Sequence, residues 1–171
     1  MIKLATCIPV LLASVLCLPV FAAGDDARTP AGGSDTACGQ ASKAQLEQLL
    51  STYQQRLAAS DIDAVLDLYS TDPVFMPEYA PPAVGRPAVR KAYEWVFATL
   101  KLNGRFNVHE VDVLGDTAWV RTTSTGRFTV IASGGQGDVA NSELFVFKRQ
   151  NGAWKIHRYI FTSSAPLPGS Q

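Results

Sequence analysis

The chain has 171 residues, with 15 Lys and Arg against 15 Asp and Glu, a formal net charge of zero. No basic block runs along it, so nucleic acid and anionic membrane surfaces have little to bind. Its length suits one domain built around one core.

Lys3 precedes an apolar run from Leu4 to Phe21, and Val20-Phe21-Ala22 places small side chains where a signal peptidase reads. This predicts a signal peptide over residues 1–22, cleaved before Ala23, rather than a retained anchor. A periplasmic or secreted protein follows. The lipoprotein pattern fails because Leu16, not a small residue, precedes Cys17, and Cys38 has no apolar run before it. Cys7 and Cys17 leave with the signal, and Cys38 alone cannot form an internal disulfide. Loss of Lys3 takes the net charge to about −1.

Residues 23–42 lack any large aliphatic side chain and are expected to be a disordered linker. The folded domain is expected over 43–163, followed by a flexible tail over 164–171. Leu46, Leu49, Leu50, Tyr53 and Leu57 predict a helix over about 43–59. Ser60-Asp61 ends it and caps a short second helix carrying Ile62, Val65, Leu66 and Tyr69. Pro73 forbids continuation, Val74–Met76 reads as a short strand, and Pro77–Gly85 as a loop. Pro87 opens a third helix running to about Leu100, with Val89, Ala92, Tyr93, Val96 and Leu100 inward.

From Arg105 the period becomes two. Phe106, Val108, Glu110 and Asp112 are expected on one strand face, with Asn107, His109, Val111 and Val113 on the other. Gly115-Asp116 turns into a strand over 117–131. Gly134-Gly135 and Gly137-Asp138 mark a flexible loop. Asn151-Gly152 predicts a two-residue hairpin turn. The order α-α-β-α-β-β-β-β makes an α+β domain.

Counting back from that hairpin pairs Phe147 with Ile156, Phe145 with Arg158 and Glu143 with Ile160. Glu143 and Arg158 then become diagonal neighbours on an apolar face, where a carboxylate and a guanidinium should pair. His157 and Tyr159 fall on the opposite face with Leu144, Val146 and Phe161. A slip of one residue would exchange the two sets. The acid–base candidates are Glu78, His109, Glu110, Glu143 and His157, with Glu143, His157 and Arg158 forming the candidate catalytic set. Tyr53, Met76, Glu78, Tyr79, Trp95, Trp119, Phe145 and Tyr159 are candidate pocket-lining residues. Gly134-Gly135-Gln136-Gly137 opens no helix, so no dinucleotide fingerprint is present. His109 and His157 have no metal-ligand spacing with another His or Cys. No cofactor or metal is expected.

Tyr69–Pro77 (Tyr-x-x-Asp-x-Val-Phe-Met-Pro), Gly85–Tyr93 (Gly-Arg-x-Ala-Val-Arg-x-Ala-Tyr), Glu143–Val146 and Trp154–Tyr159 together resemble the SnoaL-like branch of the nuclear-transport-factor-2-like superfamily, and within it the SgcJ/EcaC group. The resemblance spans about Ala44 to Ser163. It implies a cone-shaped cavity wrapped by a curved, mostly antiparallel sheet around three helices, and usually a homodimer. It also implies a small, largely apolar organic ligand, with or without isomerase, cyclase or dehydratase chemistry on a polyketide- or steroid-like molecule. A third possibility is a dimeric interaction module. Pro77 occupies the position matching the proton-shuttling Asp of ketosteroid isomerases; proline cannot move a proton, and Glu78 follows it with different strand parity.

Overall fold

The computed structural model describes residues 33–164, with side chains from residue 39; the signal segment, the first part of the linker and the last seven residues lie outside the described residues. Helix α1 spans Gly33–Ala59. Leu46, Leu50 and Tyr53 are buried along it at helical spacing, and Leu49 and Leu57 flank that stripe. The helix starts ten residues before Lys43, so residues 33–42, expected in the disordered linker, are helical. The packed stripe supplies the nucleus, and extension through Gln40 and Ala41 then adds one hydrogen bond per residue fixed. Ser42 is buried and accepts a hydrogen bond from Arg149 Nη2 at 3.2 Å, while the Arg149 guanidinium lies 4.6 Å over Trp154. These contacts hold the early turns of α1 to the hairpin at the far end of the sheet.

Ser60 (φ 55°) breaks the helix, and Asp61 Oδ1 accepts from the Ala64 amide at 3.0 Å to cap α2, Ile62–Asp67. Strand β1 runs Tyr69–Met76, longer than the expected Val74–Met76, because its first residue already pairs in parallel with the last strand. Pro73 sits in the irregular middle of β1, where no ladder donor is needed. A two-residue strand, β2 (Ala83–Val84), was not expected; it pairs back onto β1. Helix α3, Arg86–Thr99, starts after Gly85 (φ 82°) with Pro87 in its first turn, and buries Val89, Tyr93 and Phe97.

Four long strands follow: β3 (Leu100–Leu114), β4 (Thr117–Val130), β5 (Gln136–Gln150) and β6 (Ala153–Ser163). The six-stranded sheet has the order β2-β1-β6-β5-β4-β3, parallel only between β1 and β6. The α+β class and the curved, mostly antiparallel sheet agree with expectation. Gly137-Asp138, expected in a loop, belongs to β5 and pairs with Phe128 and Arg127. Asn151 (φ 50°) and Gly152 (φ 78°) form the two-residue turn that their sequence predicts.

Two bulges change the register of the antiparallel ladders. In β3, Val108 pairs with Thr122 but Glu110 pairs with Arg121, leaving His109 as the extra residue. Facing therefore switches at His109, and Phe106, Val108, Val111 and Val113 all pack against the core, although strict alternation puts them on two faces. In β6, Phe147 pairs with Ile156 but Val146 pairs with Arg158, leaving His157 extra. The core thus gathers Phe145, Phe147, Ile156 and Tyr159 from the last hairpin against Leu46, Leu50, Tyr53, Val89 and Tyr93 from the helices.

Candidate functional site

Between the helices and the inner face of the sheet lies a cavity of about 800 Å³, within the range typical of small-molecule sites. Its walls are mostly apolar: Leu57, Phe75, Val96, Leu100, Leu102, Phe106, Phe128 and Phe161. Among its polar groups, Ser124, Asn141, Glu143 and Tyr159 are joined by hydrogen bonds at one end.

The chief of them is Glu143. The β6 bulge places Glu143 opposite Phe161 rather than Ile160, and on β4 it faces Thr122. Its side chain lines the cavity with only 4% of the residue exposed. Thr122 Oγ1 donates to Oε2 at 2.6 Å, Ser124 Oγ donates to Oε1 at 3.0 Å, and Tyr159 Oη donates to Oε1 at 3.1 Å. Asn141 Nδ2 donates in turn to Ser124 Oγ at 3.1 Å, fixing that hydroxyl. Burial raises the Glu143 pKa above the ordinary carboxylate value, and the three donated hydrogen bonds pull it part of the way back. A carboxylate has about four acceptor positions, so three donors leave one on Oε2.

The second polar group is a chain of tyrosines. Tyr93 Oη bonds to Tyr53 Oη, and Tyr69 Oη lies 2.7 Å from Tyr93 Oη. The three come from α1, β1 and α3, and each is at most 2% exposed. Burial is the main cause that pushes all three phenols above the ordinary tyrosine value, with Tyr159 pushed up likewise and further by the neighbouring Glu143 charge. Tyr53, Tyr93 and Tyr159 line the cavity; Tyr69 stands behind them.

Of the residues expected at the site, Tyr53, Glu78, Tyr79, Trp95, Glu143 and Tyr159 line the cavity. Tyr79 and Trp95 stand at the mouth, 91% and 64% exposed. Glu78 is held at the rim, accepting from the Ser163 amide at 2.6 Å and Thr162 Oγ1 at 3.3 Å, so it does not stand in for a carboxylate at Pro77.

The expected Glu143–Arg158 pair does not form. The bulge at His157 turns Arg158 to the outer face beside Val146, where its Nη1 donates to the carbonyls of Asp72 (2.9 Å) and His157 (2.8 Å). The same bulge brings Tyr159 inward, and three neutral hydroxyls take the role expected of the guanidinium. His157 is buried against β1, its Nδ1 3.1 Å from Ser70 Oγ and 3.5 Å from Asp72 Oδ1, and does not line the cavity. Burial and the adjacent Arg158 lower its pKa. Ser70 and Asp72 approach the same ring nitrogen, so the three cannot relay a proton in series. Met76 pairs with Ile160 on β6, and Trp119 pairs with Val146 on the outer side of β4; neither lines the cavity. Phe145 lies in the core beneath the cavity, its ring stacked on Tyr159 at 4.1 Å.

Thr122, Ser124, Asn141, Tyr69 and Tyr93 were not anticipated at the site. Thr122 and Ser124 continue the inward alternation of Ala118 and Val120 on β4, and polar side chains on that apolar face are the sequence signal for them. Among the described residues no three His, Cys, Asp or Glu side chains converge as metal ligands would.

The SnoaL-like domain profile matches residues 50–157, more than half of the chain. No curated protein matches significantly. Among solved structures, a ketosteroid isomerase-like protein from Erwinia carotovora atroseptica is similar at 30% identity with a TM-score of 0.68, over 72% of this chain and 96% of that one. A proposed aromatic ring hydroxylase from Novosphingobium aromaticivorans is similar at 26% identity with a TM-score of 0.67, over 75% of this chain and 93% of that one. A proposed dehydratase of the nuclear-transport-factor-2-like family from Streptomyces avermitilis shares the fold at 18% identity with a TM-score of 0.65, over 74% and 99% of the two chains. The matched span contains Tyr53, Tyr69, Tyr93, Thr122, Ser124, Asn141 and Glu143 and stops two residues short of Tyr159; the chain belongs to the SnoaL-like family, within the nuclear-transport-factor-2-like superfamily.

Proposed function

We propose that this is an exported pocket protein whose cavity binds a small, largely apolar organic molecule carrying one hydroxyl or enolisable carbonyl group. The observation that carries this reading is a cavity of about 800 Å³ with apolar walls and a single buried carboxylate at its polar end. The donors around Glu143 are spent on it, leaving one acceptor position on Oε2. Three tyrosine hydroxyls share two hydrogen bonds, leaving one hydrogen over. With Tyr69 donating to Tyr93 and Tyr93 to Tyr53, that hydrogen belongs to Tyr53, which lines the cavity. In that arrangement the polar end offers a ligand the open acceptor of Glu143 and the Tyr53 hydrogen, beside the Asn141 amide, against walls that are mostly apolar.

Titration with 4-ethylphenol and its methyl ether, 4-ethylanisole, tests this. A hydrogen bond to a charged group contributes about 1.5–3 kcal/mol, so the phenol is expected to bind roughly 10- to 100-fold more tightly. Equal affinities would remove Glu143 as the polar anchor.

A second reading is favoured by the Glu143 pKa, which burial raises above the ordinary carboxylate value and so makes the carboxylate a stronger base toward carbon acid substrates. A cofactor-independent isomerase, cyclase or dehydratase would then use Glu143 as base, with the Tyr53 hydroxyl donating to the developing oxyanion. Deuterium uptake α to the carbonyl of an aryl ketone in D₂O, lost in Glu143→Gln, is the expected result; uptake no faster than in buffer would contradict it. We also propose a homodimer, supported by the half-exposed cross-strand pair Leu144 and Ile160 on the outer sheet face. Sedimentation equilibrium reads this directly, and a monomer at micromolar concentration would contradict it.

A further inference from the structure

The cavity climbs the sheet in rungs set by the strand pairing. Phe106, Ser124 and Asn141 make the rung at the polar end. The next rung inward-facing along β3 and β4 is Gly104 opposite Gly126, with Val139 beside it on β5, and the one beyond is Leu102, Phe128 and Gly137. Two glycines facing each other leave the middle rung without side chains on β3 and β4, and that bare stretch is a trough between the polar end and Phe128. Gly126 has φ 153°, and a Cβ there would lie 2.2 Å from the Asn103 carbonyl oxygen, so β4 at this rung requires glycine for its own backbone.

Gly137 is a different case. Its backbone is not in the left-handed region, and glycine in a strand interior is otherwise unfavourable. The space it leaves is taken by one ring: a Cβ at Gly137 would fall 2.4 Å from Phe128 Cζ and 2.7 Å from Cε1. Phe128 therefore lies down across its cross-strand partner instead of standing away from the sheet. From Ser124 to Phe128 is four residues along β4, roughly 13 Å, comparable to a ligand of a fused ring pair or a ring with a medium alkyl chain.

We propose that Phe128, laid flat over Gly137, is the end wall that sets how long a ligand the cavity accepts, and that Gly137 keeps that wall folded back. The inference rests on the small-molecule reading of the cavity. The ligand class it defines is an apolar molecule anchored by its oxygen near Glu143 and limited in length by one aromatic ring at the opposite end. A side chain at position 137 forces the ring up into the trough and shortens the cavity. Loss of the ring lengthens it.

The test uses the folded protein from Ala23 and a series of 4-n-alkylphenols from methyl to nonyl, titrated against wild type, Phe128→Ala, Gly137→Val and the double variant. In the wild type, affinity is expected to rise with chain length to a turning point and then fall. Phe128→Ala should move that point at least two carbons longer. Gly137→Val should move it at least two carbons shorter and weaken the longest bound member tenfold or more. The double variant, with no ring to displace, should regain the wild-type limit or exceed it. Phe128→Ala leaves the strand backbone unaltered, so it decides the matter even where Gly137→Val fails to fold. A turning point that stays fixed in Phe128→Ala overturns the inference while the pocket itself stands. A loss in Gly137→Val that persists without the ring also overturns it. Failure of the wild type to bind any member of the series would remove the pocket reading and this inference together.

Discussion

Glu143→Gln is expected to leave the domain folded and to weaken binding of 4-ethylphenol by roughly 10- to 100-fold, the loss of one charge-assisted hydrogen bond. Gln keeps the length of the side chain and can still accept from Thr122, Ser124 or Tyr159, but it withdraws the charged acceptor left on Oε2. The same variant should alter how stability depends on pH. Glu143 has its folded-state pKa above the ordinary value of 4.5, chiefly because burial disfavours the charged form. Below 4.5 the carboxyl is protonated in both states and contributes no slope. As pH rises above 4.5, the unfolded chain releases its proton first, so the wild type loses stability until pH passes the folded-state pKa, and is level thereafter. Stability relative to Glu143→Gln should therefore decline with rising pH over that window, measured by urea unfolding between pH 4 and pH 8. A wild type that gains stability relative to Gln over the same range would show that the three hydroxyl donors outweigh burial.

Phe145→Ala should be far more damaging to stability. Phe145 is fully buried, stacks on Tyr159 at 4.1 Å and on Phe147 at 5.9 Å, and meets Tyr53 and Phe106 edge-on at 6.0 and 5.6 Å. Truncating such a ring costs about 3–5 kcal/mol in lost transfer energy and residual cavity. For a domain of this size the melting temperature should fall by roughly 10–20 °C. Trp95→Ala at the exposed mouth is the natural comparison, expected within about 0.5 kcal/mol of wild type. A cost below about 1 kcal/mol for Phe145→Ala would mean that this ring faces the cavity instead of supporting it.

The contrast between these two aromatics also shows what could be read from the chain alone. Helical spacing identified Leu46, Leu50 and Tyr53 as one buried face because that signal is local. Asn151-Gly152 identified the last turn because few residue pairs accept positive φ twice in succession. Glu143 stood out as a carboxylate on an apolar strand face, and it is buried in the cavity. Its partner was misassigned because a bulge adds one residue without any compositional mark, and His157 supplies it. One extra residue sent Arg158 outward and Tyr159 inward. The bulge at His109 scrambled the β3 face in the same way. Thr122 and Ser124 could be joined to Glu143 only through the pairing of β4 with β5, and the loop over residues 131–135 does not specify that register. The tyrosine chain draws on three elements whose residues are far apart in sequence, so only packing brings the hydroxyls together.

On the proposed function, the buried Glu143 carboxylate anchors the polar end of a ligand in the cavity. Its side-chain carboxyl carbon, followed by ¹³C NMR through a pH titration with and without saturating 4-ethylphenol, decides this. The expected result is a resonance that titrates above the ordinary glutamate range in the free protein and shifts when the phenol is added. A Glu143 carboxyl that titrates at the ordinary value and does not respond to the phenol would contradict it.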